Sequence, residues 1–379
     1  MAKTVKTEIK ATEVSTNEVP SNEIRKPTAK MNFSLDNFKK KVGAQDVPDK
    51  PLEWILIDNA LKDATGMPGF PKGYVSSCCG FSNSGKSTAV ALGIVNAQKM
   101  GLLPIIIDLE NNLSKHRLTT MGFNWDGDYI FIDNEYLLDH FGKVSDKNRN
   151  YASIEDLANC IRFLLREQEE GNLPFDLVFA IDSIGTLNCN KTINAAEKNE
   201  ADSNFWNAGT YEKEFMYLFN DIIPNSRKSN KIYTNTVIVV QKIGRDAMNN
   251  TITMKGGRTW EYVPRLQYYF GGIVSKGVKK VTATSKKREI SYGVLVKVSV
   301  LKNQINDPFL GGISMEGSII SVPQGFITPE GVDEYKKKNI LYFRNLFGND
   351  ELNSDDIDSG ERLETTDGRV LFDFIDKLE

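Results

Sequence analysis

Eight consecutive residues carry the plainest chemistry in this chain. GFSNSGKS, residues 80–87, satisfies G-x-x-x-x-G-K-[ST], the Walker A pattern, at every fixed position. Glycines at both ends of such a loop let the backbone curl until its N–H groups converge on phosphate oxygens. A helix starting at the end of the loop adds favourable potential for an anion. Lys86 can reach the β- and γ-phosphates of a nucleoside triphosphate, and Ser87 can ligate Mg²⁺. Gly80, Phe81, Ser82, Asn83, Ser84, Gly85, Lys86, Ser87 and Thr88 are therefore the candidate cradle for ATP.

Three further runs end in groups suited to the same work. LVFAID (177–182) closes an apolar run with Asp182, a carboxylate placed to organise Mg²⁺ together with Ser87. IIIDLE (105–110) ends in two acids. Hydrolysis needs a carboxylate that orients and deprotonates the attacking water. Glu110 is the candidate, and Asp108, two residues back on the same pleat face, is the alternative. VIVVQ (237–241) ends in a neutral amide, and Gln241 can contact a terminal phosphate as donor or acceptor.

These groups need a scaffold that brings several strand ends together. YVSSCC (74–79), LPIIIDLE (103–110), YIFID (129–133), FDLVFAID (175–182) and TVIVVQ (236–241) are apolar throughout. Helical patterns separate them: STAVALGIVNAQKM (87–100), SIEDLANCIRFLLREQEEG (153–171), with its glutamates on the wet side, and a helix near residues 209–223. Apolar strands alternating with helices predict a parallel sheet covered on both faces. After Gln241 the segments 266–274, 279–287 and 293–302 follow without intervening helices and predict an antiparallel extension. The fold class is α/β, a P-loop core of mostly parallel sheet flanked by helices, with an antiparallel β extension.

Composition excludes several other classes. No apolar run approaches the roughly 20 residues of a membrane span, and the N-terminus lacks the apolar stretch of a signal peptide, so the expected location is cytoplasmic. Four cysteines and two histidines lack metal-ligand spacing, and Cys78 and Cys79 read as small apolar residues of a buried strand. The net charge of −3 conceals an asymmetry: residues 350–379 hold eleven acids and three bases, a net of −8, leaving +5 on residues 1–349. Such an end is either a solvated tail or a competitor with nucleic acid for the basic body.

Taken in order, these blocks resemble the RecA-type strand-exchange recombinases, especially their phage members. The resemblance covers roughly residues 52–320. It rests on GMPGFPKGYVSSCCGFSNSGKST (66–88), IIIDLENNLSKHRLTTMGF (105–123), LVFAIDSIGTL (177–187), VIVVQKIG (237–244), MKGGRTWEY (254–262) and VSVLKNQINDPF (298–309). It implies that Glu110 is the catalytic base, that Gln241 senses the γ-phosphate and relays to DNA, and that Lys302 reaches the ATP site of an adjacent subunit. It also implies a first DNA loop from Asn188 to about Trp206 and a second from Ile243 to about Tyr262. Two positions depart from the family pattern. Gln304 replaces a second lysine, and Arg117 stands where an aromatic usually stacks on adenine, a role a guanidinium can also fill.

In and beside the second loop, Lys242, Arg245, Lys255 and Arg258 can neutralise phosphates, Gly256 and Gly257 permit close approach, and Trp260 can stack on a base. The run 275–288, with six bases and no acid, is either a further DNA surface or a solvated hairpin. The resulting expectation is a DNA-dependent ATPase of homologous recombination and DNA repair. It forms a homo-oligomeric nucleoprotein filament on single-stranded DNA, pairs it with double-stranded DNA, and meets single-strand-binding or mediator proteins in a cytoplasm (the host's, if phage-encoded). A hexameric helicase or a weakly hydrolysing mediator on the same fold is the alternative. The expected organisation is a disordered segment 1–30, a helix and linker 31–51 packing on its own domain or on a neighbouring subunit, a core 52–320, a C-terminal segment 321–349 and an acidic tail 350–379.

Overall fold

The protein's structure, a computed structural model, describes residues 34–43, 47–142, 151–198, 204–245, 252–254, 256–271, 278–305 and 316–364. The chain divides into two compact units, Met1–Val47 and Pro48–Glu379. In the first, Leu35–Lys41 is a helix (α1), and Ser34 Oγ accepts from the Asn37 N–H at 3.3 Å. The expected disorder of 1–30 lies outside the described residues. The main unit begins four residues earlier than expected, because 48–50 are bonded to it: Lys50 N–H donates to Arg227 O at 2.7 Å and Ser229 N–H to Pro48 O at 2.8 Å.

In the main unit the strands are β1 Trp54–Leu56, β2 Gly69–Pro71, β3 Val75–Gly80, β4 Leu103–Asp108, β5 Ile130–Asp133, β6 Leu177–Ile184, β7 Thr236–Arg245, β8 Ile252–Met254, β9 Leu266–Phe270, β10 Val278–Ser285, β11 Arg288–Asn303, β12 Glu316–Val322, β13 Gly325–Ile327 and β14 Asp358–Glu364. The large sheet runs β13-β12-β11-β9-β3-β7-β6-β4-β5, with β10 joining β11 to β14 and β8 paired to β7. From β9 to β5 every pairing is parallel. β9 thus belongs to the parallel core and turns antiparallel only against β11. The sequence points to an antiparallel strand here because no long helical pattern separates residue 241 from residue 266. Twenty residues separate β7 from β9, enough for the crossover that a parallel pair needs.

Alternation along the strands assigns the two faces. Cys78, Ile106, Val178, Ala180, Ile238 and Val240 pack on one side with Ala89, Val90 and Ile94 of the helix Lys86–Lys99 (α3 here, after α2, Asn59–Thr65). Ile105, Ile107, Phe179, Ile181, Val237 and Val239 pack on the other with Leu157 and Ile161 of Ile154–Glu169 and Phe215 of Asn204–Tyr217. The helix 154–169 starts at a capping box, Ser153 Oγ accepting from Asp156 N–H and Asp156 Oδ2 from Ser153 N–H. A third cluster packs Phe343 and Phe347 of the helix Ile340–Phe347, with Tyr335, onto Tyr292, Ile320 and Val322. All four cysteines are buried and free.

Three expectations are corrected. The boundary at 320/321 falls inside β12, which is bonded along its length to β11. The acidic end is not one tail: Leu352 and Ile357 are buried in the third cluster, and β14 pairs with β10 from Val278↔Glu364 to Thr284↔Asp358. Charge counting hid these apolar anchors. The segment 188–206, expected as a loop, contains the helix Asn190–Glu197. The basic run does form a hairpin, turning at Lys286 and Lys287 with positive φ. No helix among the described residues is long and apolar enough to cross a membrane.

Asp58 ties the first helix of the main unit to its far end. Its carboxylate caps α2 through Leu61 N–H and accepts from Phe326 N–H. Burial pushes its pKa up to about 6 against those hydrogen bonds. A carboxyl with a raised folded-state pKa keeps a proton that the unfolded chain has already released between about pH 4 and pH 6, so stability should fall as pH rises through that window. Urea unfolding from pH 4 to pH 7 should show this slope, and Asp58→Asn should flatten part of it. A slope identical in the variant would mean that Asp58 is not titrating there.

Candidate active site

The P-loop leaves β3 at Gly80 and enters α3 at Gly85. Both positions require glycine. Gly80 has φ 146°, and a Cβ there would lie 2.0 Å from the Phe270 carbonyl oxygen; Gly85 has φ 95°. A cleft of about 950 Å³ opens at this turn, lined by residues 80–88 together with Glu110, Asn112, His116, Arg117, Asp182, Lys242, Tyr292 and Ser321–Pro323. Lys86 is buried in it and donates to the Phe81 carbonyl oxygen. Burial lowers its pKa, opposed by the nearby Asp182 and Glu110.

Parallel pairing aligns Asp108 with Asp182 at the ends of β4 and β6. Period two then sends Asp108, Glu110 and Asp182 to the α3 face, the face of the cradle. The two acids at the end of β4 and just beyond it have separate jobs. Asp108 accepts backbone N–H groups of Glu110, Asn112 and Leu113 at 3.3, 3.1 and 3.0 Å, which makes it the brace of the turn. Glu110 lines the cleft. It accepts from Thr186 Oγ1 at 2.9 Å, Asn112 Nδ2 at 2.9 Å and Ser183 Oγ, and pairs with Lys242 Nζ at 2.9 Å. Burial alone would raise its pKa; the hydrogen bonds of Ser183, Lys242 and Thr186 outweigh it and leave the carboxyl below its ordinary value.

Asp182 and Ser87 suit a hard divalent cation. Asp182 is 2% exposed, accepts from the Ser87 side chain, and keeps Oδ2 buried without a hydrogen-bond partner. Burial, with Glu110 and Asp108 nearby, pushes its pKa up to about 6, which a cation would reverse. A hydroxyl and one carboxylate make a partial Mg²⁺ site, of the kind completed by phosphate oxygens and waters. Among the described residues no cluster of three or more His, Cys, Asp or Glu forms an all-protein metal site.

Other expected residues fall differently. Gln241 is fully buried and does not line the cleft, whereas Val240 and Lys242 on either side of it do. Gln241 is the polar end of an apolar strand, but alternation turns it to the opposite face from α3. Arg117 donates to Thr88 Oγ1, which shares a 2.8 Å hydrogen bond with Ser321 Oγ, so it clamps α3 and β12 at the cleft wall. Lys302 caps the short helix Thr259–Tyr262, donating to the carbonyls of Glu261 and Tyr262 at 2.8 and 2.9 Å. Burial, with Arg265 near, pushes its pKa down to about 8.

Of the expected DNA residues, Lys255 lies outside the described residues, and Arg245 is placed only as the end of β7, opposite Ile252. Arg258 is exposed. Trp260 is a correction: it is 0% exposed, with ring centroids 5.9 Å from Tyr211 and Phe219 and 6.1 Å from Phe215. It therefore cannot stack on a base. Gly256 and Gly257 serve this packing: each has positive φ, and a Cβ would meet the Trp260 ring at 2.6 Å or Ala208 at 2.8 Å. Sequence reasoning missed Ser183 and Thr186 as partners of Glu110, though SIGT directly after Asp182 offered two hydroxyls. It also missed Tyr292 and Ser321–Pro323 as cleft wall, which no local signal marks.

No protein-family model matches the chain. Among known proteins it is similar to "Protein RecA" of Francisella philomiragia subsp. philomiragia, 25% identical over 290 residues, covering 74% of this chain and 68% of the relative. The likeness to "Protein RecA" of Mycoplasma mobile is 26% over 255 residues, 67% of this chain and 64% of that protein. The chain thus spans about two thirds of the length of these relatives. The likeness to RecA proteins is distant, and the α/β sheet with an antiparallel flank is consistent with a RecA-like core.

Burial separates two variants of the second loop. Trp260→Ala should lower unfolding stability by about 3–5 kcal/mol through the cavity it leaves and should leave the salt dependence of DNA binding unchanged. Arg258→Ala should do the reverse, with near-native stability and a slope of log affinity against log salt reduced by about 0.7 on single strands. Urea unfolding and fluorescence-anisotropy titrations from low to high salt measure both, and an Arg258→Ala slope equal to wild type would remove Arg258 from the DNA contacts.

Proposed function

We propose that this protein is an ATP-dependent DNA recombinase that polymerises on single-stranded DNA and promotes homologous pairing and strand exchange, closest among RecA-type enzymes to the phage-encoded ones. One observation carries the reading: β7 joins the two halves of the activity. Lys242 stands in the phosphate cleft against Glu110, and from the next residue the same strand pairs with β8, which leads to Gly256–Arg258. The RecA likeness and the ordered sequence blocks support the rest.

On this reading the P-loop N–H groups and Lys86 bind the triphosphate, and Lys86 leaves the Phe81 carbonyl to do so. Ser87 and Asp182 hold Mg²⁺, which supplies charge neutralisation at the phosphates. Arg117 and the wall Tyr292, Ser321–Pro323 receive the nucleoside end. Glu110 orients and deprotonates water. Lys302 serves an adjacent subunit's phosphates only after releasing the carbonyls of Glu261 and Tyr262. The site then works as a phosphate-biased switch of DNA affinity.

A strand-exchange assay with homologous and heterologous duplexes tests the proposal: product is expected from the homologous duplex alone. Closed six-membered rings on single-stranded DNA in electron micrographs, without exchange, would mean a helicase instead. Lys86→Ala should lose more than about tenfold in hydrolysis, because the main cation on the β- and γ-phosphates is gone. Glu110→Gln should still bind ATP but turn over at least about 100-fold more slowly and hold DNA longer; loss of ATP binding in that variant would assign Glu110 a structural role.

A further inference from the structure

One oxygen of the Glu110 carboxylate, Oε1, has no acceptor position to spare. Oε1 takes Thr186, Ser183 and Lys242, and Oε2 takes Asn112. Each oxygen of an ionised carboxylate offers about two lone-pair sites, so Oε1 cannot orient a water until a donor leaves, whereas Oε2 carries the Asn112 bond alone among the described contacts. Three of the four donors are local. Asn112 is two residues along the same turn, Ser183 follows Asp182 on β6, the strand paired to β4, and Thr186 lies two residues beyond that strand's end. The fourth comes from farther away: Lys242 sits on β7 and reaches across β6 to the end of β4.

Lys242 is also the donor that other ligands can move. Its side chain is 39% exposed against 15% for Glu110, and it ends a flexible four-carbon stem. It lines the same cleft as Lys86 and Ser87, so a terminal phosphate there competes for its ammonium with more charge than one carboxylate carries. The pairing of β7 with β8 begins at the next residue, Ile243↔Met254. A strand of DNA held beyond β8 therefore pulls on the backbone that aims Lys242.

We propose that Lys242 is a positioning residue that blocks Glu110 until nucleotide and DNA together draw its ammonium away, so that this ion pair sets the DNA dependence of hydrolysis. The inference rests on the ATPase reading above and concerns its regulation. The expected DNA contact of Lys242 is thereby replaced by a contact inside the active site.

The test is steady-state ATP hydrolysis by the full-length chain, with and without a single-stranded thymidine oligonucleotide, for wild type, Lys242→Met and Lys242→Arg. In Lys242→Met, kcat without DNA should rise at least about fivefold while KM for ATP does not fall, since the variant also lacks the ammonium that the terminal phosphate recruits. The ratio of rates with and without DNA should fall toward one. Lys242→Arg, which keeps the charge, should restore the DNA dependence. A Lys242→Met enzyme whose DNA-free kcat equals or falls below that of wild type, or whose DNA ratio is unchanged, overturns the switch while leaving the ATPase reading intact. A wild type that neither binds a fluorescent ATP analogue nor hydrolyses ATP overturns both.

Discussion

The strongest constraint on this fold is a set of charges kept nearly dry at the ends of three strands. Lys86 is buried, Asp182 is 2% exposed, and Asp108 is 2% exposed. Removing such groups from water is unfavourable by several kcal/mol each unless partners stand in for the solvent. The partners are built from backbone as much as from side chains: Asp108 is satisfied by three N–H groups of its own turn, and Lys86 by a P-loop carbonyl. Asp182 is the least satisfied, which is why its pKa rises and why a cation and a phosphate fit beside it. The two apolar clusters on either face of the parallel strands hold this arrangement rigid, and their burial offsets its cost.

Strand alternation decides which residues enter that environment. Even-numbered residues of β4, of β6 as far as Asp182 and of β7 face α3, and so Asp108, Glu110, Asp182, Val240 and Lys242 converge there while Gln241 does not. A polar residue at a strand end is only half an argument for a site, since the residue beside it points to the other face. Here the difference replaces a neutral amide by a cation against the candidate base, which changes the electrostatics of the cleft.

What was legible in the sequence follows from how local each signal is. The Walker A loop, the apolar strands and the capping-box helix depend on contiguous residues, and the parallel sheet follows from their alternation. The pair of hydroxyls on Glu110 was visible as SIGT but gained meaning only from the register of β4 against β6. Two features were beyond local reading. Trp260 sits in a stretch of glycines and charges that looks like a loop, and its burial depends on Tyr211, Phe215 and Phe219, residues 41–49 positions earlier in the chain. β14 looks acidic because four of its seven residues are charged acids or a base among them, yet Leu352 and Ile357 just before it anchor the segment in the third cluster.

The second loop acquires a different character from these contacts. Its Gly-Gly pair is shaped to the Trp260 ring and to Ala208, and the short helix that follows is closed at its C-terminal carbonyls by Lys302 from β11. The loop is thus pinned at its far end by a tryptophan in the core and by a lysine whose ammonium, with a pKa near 8, is held by partial charges alone. At its near end it is continuous with β7 and Lys242. A ligand along Gly256–Arg258 therefore has two mechanical outlets, one through β8 and β7 into the cleft of its own chain, the other through Lys302 toward whatever lies beyond β11. Both outlets end in a lysine bound to oxygen by a few competing hydrogen bonds, and exchange of such bonds for a phosphate needs no rearrangement of the core.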